Sequence, residues 1–99
     1  DCYDMAAYIV FMRDKMIDPS EVEKYMGAVP ATLEGHPVRP LAIYGKLEML
    51  EGAPIEGAVI AEFESYEAAL AWYRSPAYQK AVQHRFKAGD YRVFVLQGL

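Results

Sequence analysis

Two short runs of residues, MAAYIVFM at 5–12 and GAVIAEF at 57–63, are apolar at nearly every position. In a β-strand successive side chains point to opposite faces, so both runs predict strands with two apolar faces. Such strands need cover on each side of the sheet that contains them. A chain built around them must fold into a layered domain, and any sheet face that its own helices leave bare must be covered in another way.

Residues 18–21, DPSE, predict the start of the first helix. The aspartate can cap free backbone amides, the proline suits the first helical position, and the glutamate sits where a capping-box acid belongs. Pro30 should kink or loosen the last turn, and Gly35 can supply a left-handed stop. Apolar side chains recur on one face of this helix and form a stripe: Val22, Tyr25, Met26 and Val29.

The stretch AALAWYRSPAYQKA at 68–81 predicts two helices that meet at Ser75. A residue that precedes proline is driven out of helical geometry, so Ser75 can end one helix and cap the next. Ser65 caps the first of these helices, and Gly89 ends the second. The expected apolar stripes are Tyr66, Ala69, Leu70 and Tyr73 on the first helix and Tyr78, Val82 and Phe86 on the second.

Two further strands are predicted at 38–50 and 90–97. Pro40 cannot donate a hydrogen bond to a ladder, which places the first of these strands at an edge of the sheet. The resulting order, βαββαβ, is typical of a ferredoxin-like α+β fold, a four-stranded antiparallel sheet with its helices on one face. The apolar face of the predicted edge strand comprises Leu41, Ile43 and Leu47.

The apolar content is large for a chain of this size. Hydrophobic residues make up 54% of the 99 residues, and helices on one side can cover only one face of the sheet. Burying a large apolar side chain stabilises by about 1.5–3 kcal/mol, so several of them together outweigh an association cost of about 4–15 kcal/mol. We therefore expect a two-fold homodimer in which two sheets pack face to face.

The charge balance and the cysteine content limit the partners and the compartment. Ten basic and fourteen acidic residues give a net charge of −4, which disfavours nucleic acid and anionic membranes as partners. No apolar run approaches the length of a membrane span. Cys2 is the single cysteine, which excludes an intrachain disulfide and fits a cytoplasmic protein. We expect one domain at residues 5–99 and treat residues 1–4 as a flexible tail or a cloning remnant.

Several segments carry a resemblance to a known family: AAYIVF, DPSEVEKYMGAVPATLEGHPVR, LEGAPIEGAVIAEFESYEAALAWYRSPAYQKA and VFVLQGL. They are similar to the uncharacterised domain-of-unknown-function 1330 family, with FESYEAALAWYRSPAYQ as the most specific part. The sequence departs at 36–39, HPVR, where family members often read His-Gly-Gly-Arg. The resemblance implies a dimeric α+β barrel. That superfamily includes cofactor-free monooxygenases, lactone isomerases, haem-binding enzymes and modules without known chemistry.

Aromatic residues near the helix junction are candidates for binding a small apolar ligand. Trp72, Tyr73 and Tyr78 could border a cavity between helices and sheet, since aromatic rings offer a large apolar surface with a polar tip. Tyr8 and Tyr44 would complete the lining. The alternative for all of these side chains is ordinary packing with the hydroxyls in water.

Charged and titratable residues are candidates for handling an acidic ligand. Glu62 interrupts an apolar strand and could act as a general base if it were buried, with Arg39 or Arg92 as its partner. His36 could move protons near neutral pH, and Arg39 could orient a carboxylate. The alternatives are a surface ion pair for Glu62 and simple exposure for Arg39. Neither His36 nor His84 has a second ligand at zinc-binding spacing, and we expect no metal and no cofactor.

Two functions stay open at this point. The first is an enzyme or binder that holds a small apolar or acidic metabolite, with cofactor-free oxygenation or isomerisation implied only by the resemblance. The second is a non-catalytic dimeric module that binds a ligand or has a structural role. A cavity lined by the candidate aromatic residues and a charged group would favour the first function.

Overall fold

The computed structural model describes residues 5–99, so the predictions for Cys2 and for residues 1–4 lie outside the described residues. The described chain forms four strands and three helices. Their bounds are β1 Ala7–Met16, α1 Pro19–Thr32, β2 Val38–Ile43, β3 Gly57–Phe63, α2 Tyr66–Tyr73, α3 Pro76–Ala88 and β4 Gly89–Gln97.

The four strands form one antiparallel sheet in the order β2-β3-β1-β4. The two strands that are apolar on both faces, β1 and β3, are central, and β2 with Pro40 is an edge strand. This topology confirms the predicted ferredoxin-like α+β fold. Central strands carry neighbours on both sides and helices above, which is why their sequences lack the polar alternation of a half-exposed strand.

One face of the sheet carries all three helices. Ile9, Phe11 and Phe63 point into this layer and form a core with side chains of α2 and α3. Residues of α1, among them Tyr25 and Val29, pack against the same core. The buried apolar interior therefore lies between the sheet and a single layer of helices.

The opposite face of the sheet is apolar and partly exposed. Val10 lies in register between Ile60 on β3 and Phe94 on β4, so these three side chains share that face. Phe94 is 44% exposed and Leu96 is 58% exposed. The prediction of a second apolar face without cover from the chain's own helices is confirmed for the described residues.

Local capping signals are confirmed at each helix start. The Asp18 carboxylate accepts a hydrogen bond from the Ser20 amide, and the Ser65 hydroxyl accepts one from the Ala68 amide. The Ser75 hydroxyl accepts a hydrogen bond from the Tyr78 amide, at the break between α2 and α3. These side chains satisfy amides that have no partner within their own helix.

Two strand boundaries differ from the sequence-based expectations. The strand predicted at 38–50 ends at Ile43, because Tyr44 adopts a positive φ of 49° and leaves the ladder. Strand β1 continues to Met16, where its last residues pair with β4. Helix α1 runs past Pro30 to Thr32, since a proline in the last turn removes only one helical hydrogen bond, and Gly35 follows with a left-handed φ of 78°, as expected.

The buried stripes of α2 and α3 also differ from the predicted ones. On α2, Ala69 and Trp72 are buried whereas Tyr66 is exposed. On α3, Arg85 lies on the buried face and Phe86 is 57% exposed. The prediction for α3 advanced by four residues from Val82 to Phe86, whereas the buried face continues three residues after Val82, at Arg85.

Candidate functional site

An apolar cavity of about 160 Å³ lies between α1 and the sheet. Its floor is formed by side chains of the two central strands, including Phe11, Val59 and Phe63. Met26 on α1 and Ile43 on β2 also line it, and both are exposed. The mouth of the cavity therefore lies between α1 and the edge strand β2.

Residues of α1 form the wall opposite the sheet. The predicted apolar stripe supplies Tyr25, Met26 and Val29 to this wall, and Leu33 extends it past the end of the helix. No apolar residue of α1 is fully buried. The stripe predicted from the sequence is therefore confirmed, but it faces a cavity rather than a closed core.

Arg85 contributes the one positive charge in the cavity wall formed by the described residues. Its side chain is only 4% exposed, and its Nε atom has no hydrogen-bond partner among residues 5–99. The Nε atom of Arg13 likewise has no hydrogen-bond partner, but it lies 3.3 Å from a carboxylate oxygen of Glu56, which balances its charge. No carboxylate of the described chain lies within ion-pair distance of Arg85, so its charge is buried without a counter-ion.

Aromatic rings surround the Arg85 guanidinium and partly compensate its burial. Its Cζ atom lies 5.2 Å from the ring centroid of Tyr91 and 5.8 Å from that of Tyr25. Phe86 and Phe11 lie at 5.5 Å and 5.9 Å. Each ring face attracts a cation weakly, but a ring accepts no directional hydrogen bond of the strength that a carboxylate offers.

A pair of tyrosines joins the cavity wall to the core. The hydroxyl oxygens of Tyr25 and Tyr78 lie 2.7 Å apart, and the two rings pack edge to face with centroids 6.2 Å apart. Burial raises the pKa of both phenols above its usual value. Both hydroxyls therefore stay protonated at physiological pH and can serve as hydrogen-bond donors.

Tyr44 reaches the cavity from the segment that follows β2. Its positive φ of 49° is uncommon for a residue with a side chain. The ring lies against Gly57, where a Cβ atom would approach Tyr44 Cδ1 to 2.6 Å, and the Arg13 guanidinium lies 4.7 Å from the ring centroid. Burial raises the pKa of the Tyr44 phenol. The missing side chain at residue 57 thus gives Tyr44 its place in the cavity wall.

Trp72 forms the end of the cavity nearest the helix break. Its ring stacks on Phe63 at 5.4 Å between centroids and packs edge to face on Phe11. The indole Nε1 donates a hydrogen bond of 3.0 Å to the Thr32 hydroxyl at the end of α1. This bond holds α2 against α1 and fixes the orientation of the indole ring.

The candidate ligand-binding residues are only partly brought together. Tyr44 and Trp72 line the cavity, and Tyr78 lies directly behind its wall. Tyr73 borders a separate surface depression beside β4. Tyr8 lies on the uncovered face of the sheet, where it pairs in register with Glu62.

The candidate catalytic residues lie outside the cavity. Glu62 lies between Tyr8 and Arg39 in the register of β1, β3 and β2, and it borders a shallow depression of about 300 Å³ at the sheet edge. Arg92, the alternative partner of Glu62, forms an ion pair with Asp14 instead, at 2.8 Å. His36 lies in the turn after α1, where its amide bonds to a backbone carbonyl. These residues do not form one site with the cavity.

The sequence did not single out Arg85, Tyr25 or Tyr91 as site residues. Arg85 follows Tyr78 by seven positions and Val82 by three, so it continues a buried helical stripe. An arginine at such a position is the signal that could have identified it. Tyr91 lies in the strand predicted at 90–97, but nothing in β4 alone shows that it meets Arg85 of α3.

The described residues show neither a cluster of metal ligands nor a membrane-spanning helix. Residues 5–99 contain no group of three or more histidine, cysteine, aspartate or glutamate side chains placed to hold a metal ion. The longest helix in this range has 14 residues, and none has the length and apolar character that a bilayer crossing requires.

A family model for DUF1330, a domain of unknown function, matches residues 6–99. The chain belongs to this family. The match covers the whole described domain except Met5, and it confirms the resemblance that the sequence segments indicate. No curated protein matches this DUF1330 chain.

Solved structures share the fold of this DUF1330 domain at low identity. A Rhodopseudomonas palustris protein of unknown function is 21% identical, with a TM-score of 0.70 over 97% of this chain and 84% of that one. A dimeric ferredoxin-like protein of unknown function from Thermobifida fusca is 15% identical, with a TM-score of 0.63 over 96% and 92% of the chains. SnoaB, a cofactor-independent oxygenase from Streptomyces nogalater, is 11% identical, with a TM-score of 0.60 over 97% and 94%.

Proposed function

We propose that this DUF1330 domain binds a small apolar acid in the cavity between α1 and the sheet, with Arg85 holding the acid group. The observation that carries the proposal is the buried Arg85 guanidinium, which has an unpartnered Nε atom and no carboxylate within reach among residues 5–99. A buried charge without a partner is costly. A carboxylate ligand would supply the missing partner, whereas its apolar part would fill the aromatic cavity.

The cavity volume limits the size of the ligand. At about 160 Å³ it is close to an apolar protein cavity of about 150 Å³ that accommodates benzene. The walls formed by Phe11, Phe63 and Trp72 suit a flat ring. We therefore infer a ligand built on one ring or a short branched chain, with a single acidic group.

Homodimer formation through the uncovered sheet face belongs to the same proposal. Phe94 and Leu96 expose large apolar areas there, and a monomer gains little from leaving them in water. The solved relatives from Thermobifida fusca and Bacteroides fragilis are both described as dimeric. Packing two sheets face to face would cover this surface and leave the cavity mouth, on the other side of the sheet, accessible.

Ligand conversion is a second candidate function, supported by the likeness to the cofactor-independent oxygenase SnoaB. Glu62 and His36 lie outside the cavity, and its wall consists of apolar side chains, tyrosines and Arg85. Any conversion would therefore rely on stabilising an anionic form of the substrate rather than on a carboxylate or histidine base. A module without a ligand is the remaining alternative, in which the cavity stays empty.

A ligand-binding experiment with a charge-matched control tests the proposed function. Calorimetric titration with benzoate and cyclohexanecarboxylate should show binding to the wild type and to Lys87→Met, which removes an exposed positive charge from the same helix. Arg85→Met should weaken binding at least about tenfold, because a charge-assisted hydrogen bond is worth more than 1.4 kcal/mol. Neutral toluene should bind Arg85→Met as well as the wild type. Equal affinity of Arg85→Met and wild type for benzoate would contradict the role of Arg85.

A further inference from the structure

The charge of the cavity is fixed, while the charge of a bound ligand is not. An arginine stays protonated at any physiological pH. The other titratable groups that face Arg85 are all phenols, contributed by every element packed around it: Tyr25 from α1, Tyr73 from α2, Tyr78 from α3, Tyr91 from β4 and Tyr44 from the segment after β2. No carboxylate among residues 5–99 lies within ion-pair distance of Arg85. A neutral ligand would therefore leave this buried charge unbalanced.

We propose that the cavity binds weakly acidic phenols and enols as their anions, which would make it a site that ionises its ligand at a pH where the free compound is still protonated. This inference rests on the proposed function, and it extends the ligand class from carboxylic acids to compounds that are neutral in water near pH 7. The bond broken is the O–H bond of the ligand. Its proton passes to bulk water or buffer through the mouth between α1 and β2, and no group of the protein is reduced, oxidised or protonated in the step.

Electrostatic attraction favours the ionised form of a ligand beside Arg85. A positive charge in an apolar, poorly hydrated surrounding acts on a nearby anion more strongly than it would in water. The cavity wall is almost entirely hydrocarbon apart from the Arg85 guanidinium and the phenol groups. Burial raises the pKa of Tyr25 and Tyr78 by more than the Arg85 charge lowers it. A ligand oxygen that bonds directly to the guanidinium would be stabilised more as an oxyanion than as a hydroxyl, and binding would then shift its ionisation toward the anion.

The hydrogen-bonding groups of the cavity wall also favour an anion. Arg85 offers only donors, so a neutral hydroxyl that bonds to it through oxygen still has its own proton to place. The hydroxyls of Tyr25 and Tyr78 already share one hydrogen bond with each other. An oxyanion has no proton to place and can accept from Arg85 and from a protonated phenol at once. The donor-rich wall therefore matches the ionised form.

The cavity wall formed by the described residues contains no carboxylate and no histidine. The expected shift in ionisation would therefore belong to the ligand alone. A carboxylate or histidine beside the ligand would compete for the arginine or take up the proton itself. Glu21 is the buried acid of α1, and its carboxylate is bonded to His84 Nδ1 at 2.8 Å rather than to Arg85. The ionisation of a bound phenol would thus report directly on the Arg85 charge.

The test uses 4-nitrophenol, whose anion alone absorbs visible light. With excess wild-type protein, the absorbance should show ionisation with a midpoint at least about one pH unit below that of the free compound, which corresponds to a tenfold preference for the anion. Lys87→Met should give the same midpoint. Arg85→Lys should keep part of the shift because it keeps the charge, and Arg85→Met should abolish it.

Outcomes for the wild type alone separate this inference from the proposed function. If 4-nitrophenol and benzoate both bind but the midpoint of 4-nitrophenol does not move, ligand ionisation is overturned and acid binding stands. If 4-nitroanisole, the methyl ether that cannot ionise, binds as tightly as 4-nitrophenol above its ionisation midpoint, the preference for the anion is likewise overturned. If neither benzoate nor 4-nitrophenol binds, both proposals fail.

Discussion

The hydroxyl oxygens of Tyr25 and Tyr78 lie 2.7 Å apart and connect α1 to α3 inside the helical layer. Tyr78 is fully buried, and its ring also packs on Trp72 at 4.1 Å between centroids. The pair therefore lies between the cavity wall and the core. Burial disfavours the ionised form of both phenols, and its effect on their pKa exceeds that of the neighbouring Arg85 charge.

Alkaline pH should destabilise the fold through these two phenols. Burial raises the pKa of Tyr25 and Tyr78 in the native state, whereas an unfolded chain ionises them from a pH of about 10. Below that pH both states keep the protons and these groups add no pH dependence. As the pH rises above it, the unfolded state binds fewer protons, so the free energy of unfolding falls by up to about 1.4 kcal/mol per pH unit for each phenol.

Chemical denaturation between pH 8 and pH 11 measures this slope. Tyr25→Phe should reduce the slope above pH 10, because it removes one of the two buried phenols. Tyr66→Phe removes an exposed phenol from α2 and serves as the control, with the wild-type slope retained. A wild-type slope in Tyr25→Phe would mean that Tyr25 ionises in the native protein.

Arg85→Met should stabilise the ligand-free protein. The substitution removes an unpartnered buried charge and leaves a flexible apolar side chain in an apolar cavity, so we expect the free energy of unfolding to rise by about 1–3 kcal/mol. Urea denaturation checks this, with Lys87→Met expected to change it by less than about 0.5 kcal/mol. A residue that lowers stability and raises ligand affinity is the usual sign of a functional role. A marked loss of stability in Arg85→Met would instead show that the aromatic contacts of Arg85 are structural.

Gly89→Ala should be among the most damaging small substitutions in the chain. A Cβ atom at this position would overlap the backbone oxygen of Lys15, where β4 pairs with the end of β1. We expect a loss of about 2–3 kcal/mol or more, because two backbones must move apart. Gly27→Ala is the matched control: it lies in α1 with nothing within 4 Å of its added carbon, and it should gain about 0.5–1 kcal/mol. Thermal denaturation of both variants tests the contrast.

Phe94→Lys should abolish self-association if the uncovered sheet face is the homodimer interface. Phe94 lies beside Val10 and Ile60 at the centre of that face, and a lysine there would be desolvated on assembly. Sedimentation velocity at micromolar concentration should give a dimer for the wild type and a single chain for Phe94→Lys. Ile17→Lys is the control, because Ile17 is 61% exposed but lies in the turn between β1 and α1. A dimeric Phe94→Lys would place the interface elsewhere.

Features set by short-range interactions could be predicted from the sequence. The caps at Asp18, Ser65 and Ser75 depend on one side chain and an amide two or three residues away. The central strands β1 and β3 are recognisable because the runs at 5–12 and 57–63 contain no charged residue except Glu62. The edge position of β2 follows from the missing donor of a single proline. Each of these signals is contained in a few neighbouring residues.

Features set by contacts between distant residues could not be predicted in the same way. The pattern at 38–50 favours a long strand, but the chain leaves the sheet at Tyr44, whose ring packs on Gly57. The sequence identifies Glu62 as an acid in an apolar strand, and the alternation of side chains along β3 shows which neighbours share its sheet face. Which face carries the cavity depends on the helices. Arg85 was overlooked because an arginine is usually exposed, and only the approach of α1 and β4 buries it.

The position of Trp72 gives this protein a built-in optical probe. It is the single tryptophan in the chain, and its indole ring forms one end of the cavity beside Phe63. Emission excited selectively from this ring reports on one place only, so no label has to be introduced to follow what enters. A nitroaromatic guest would quench that emission on contact, and the rate of quenching would give the speed at which the pocket opens and fills.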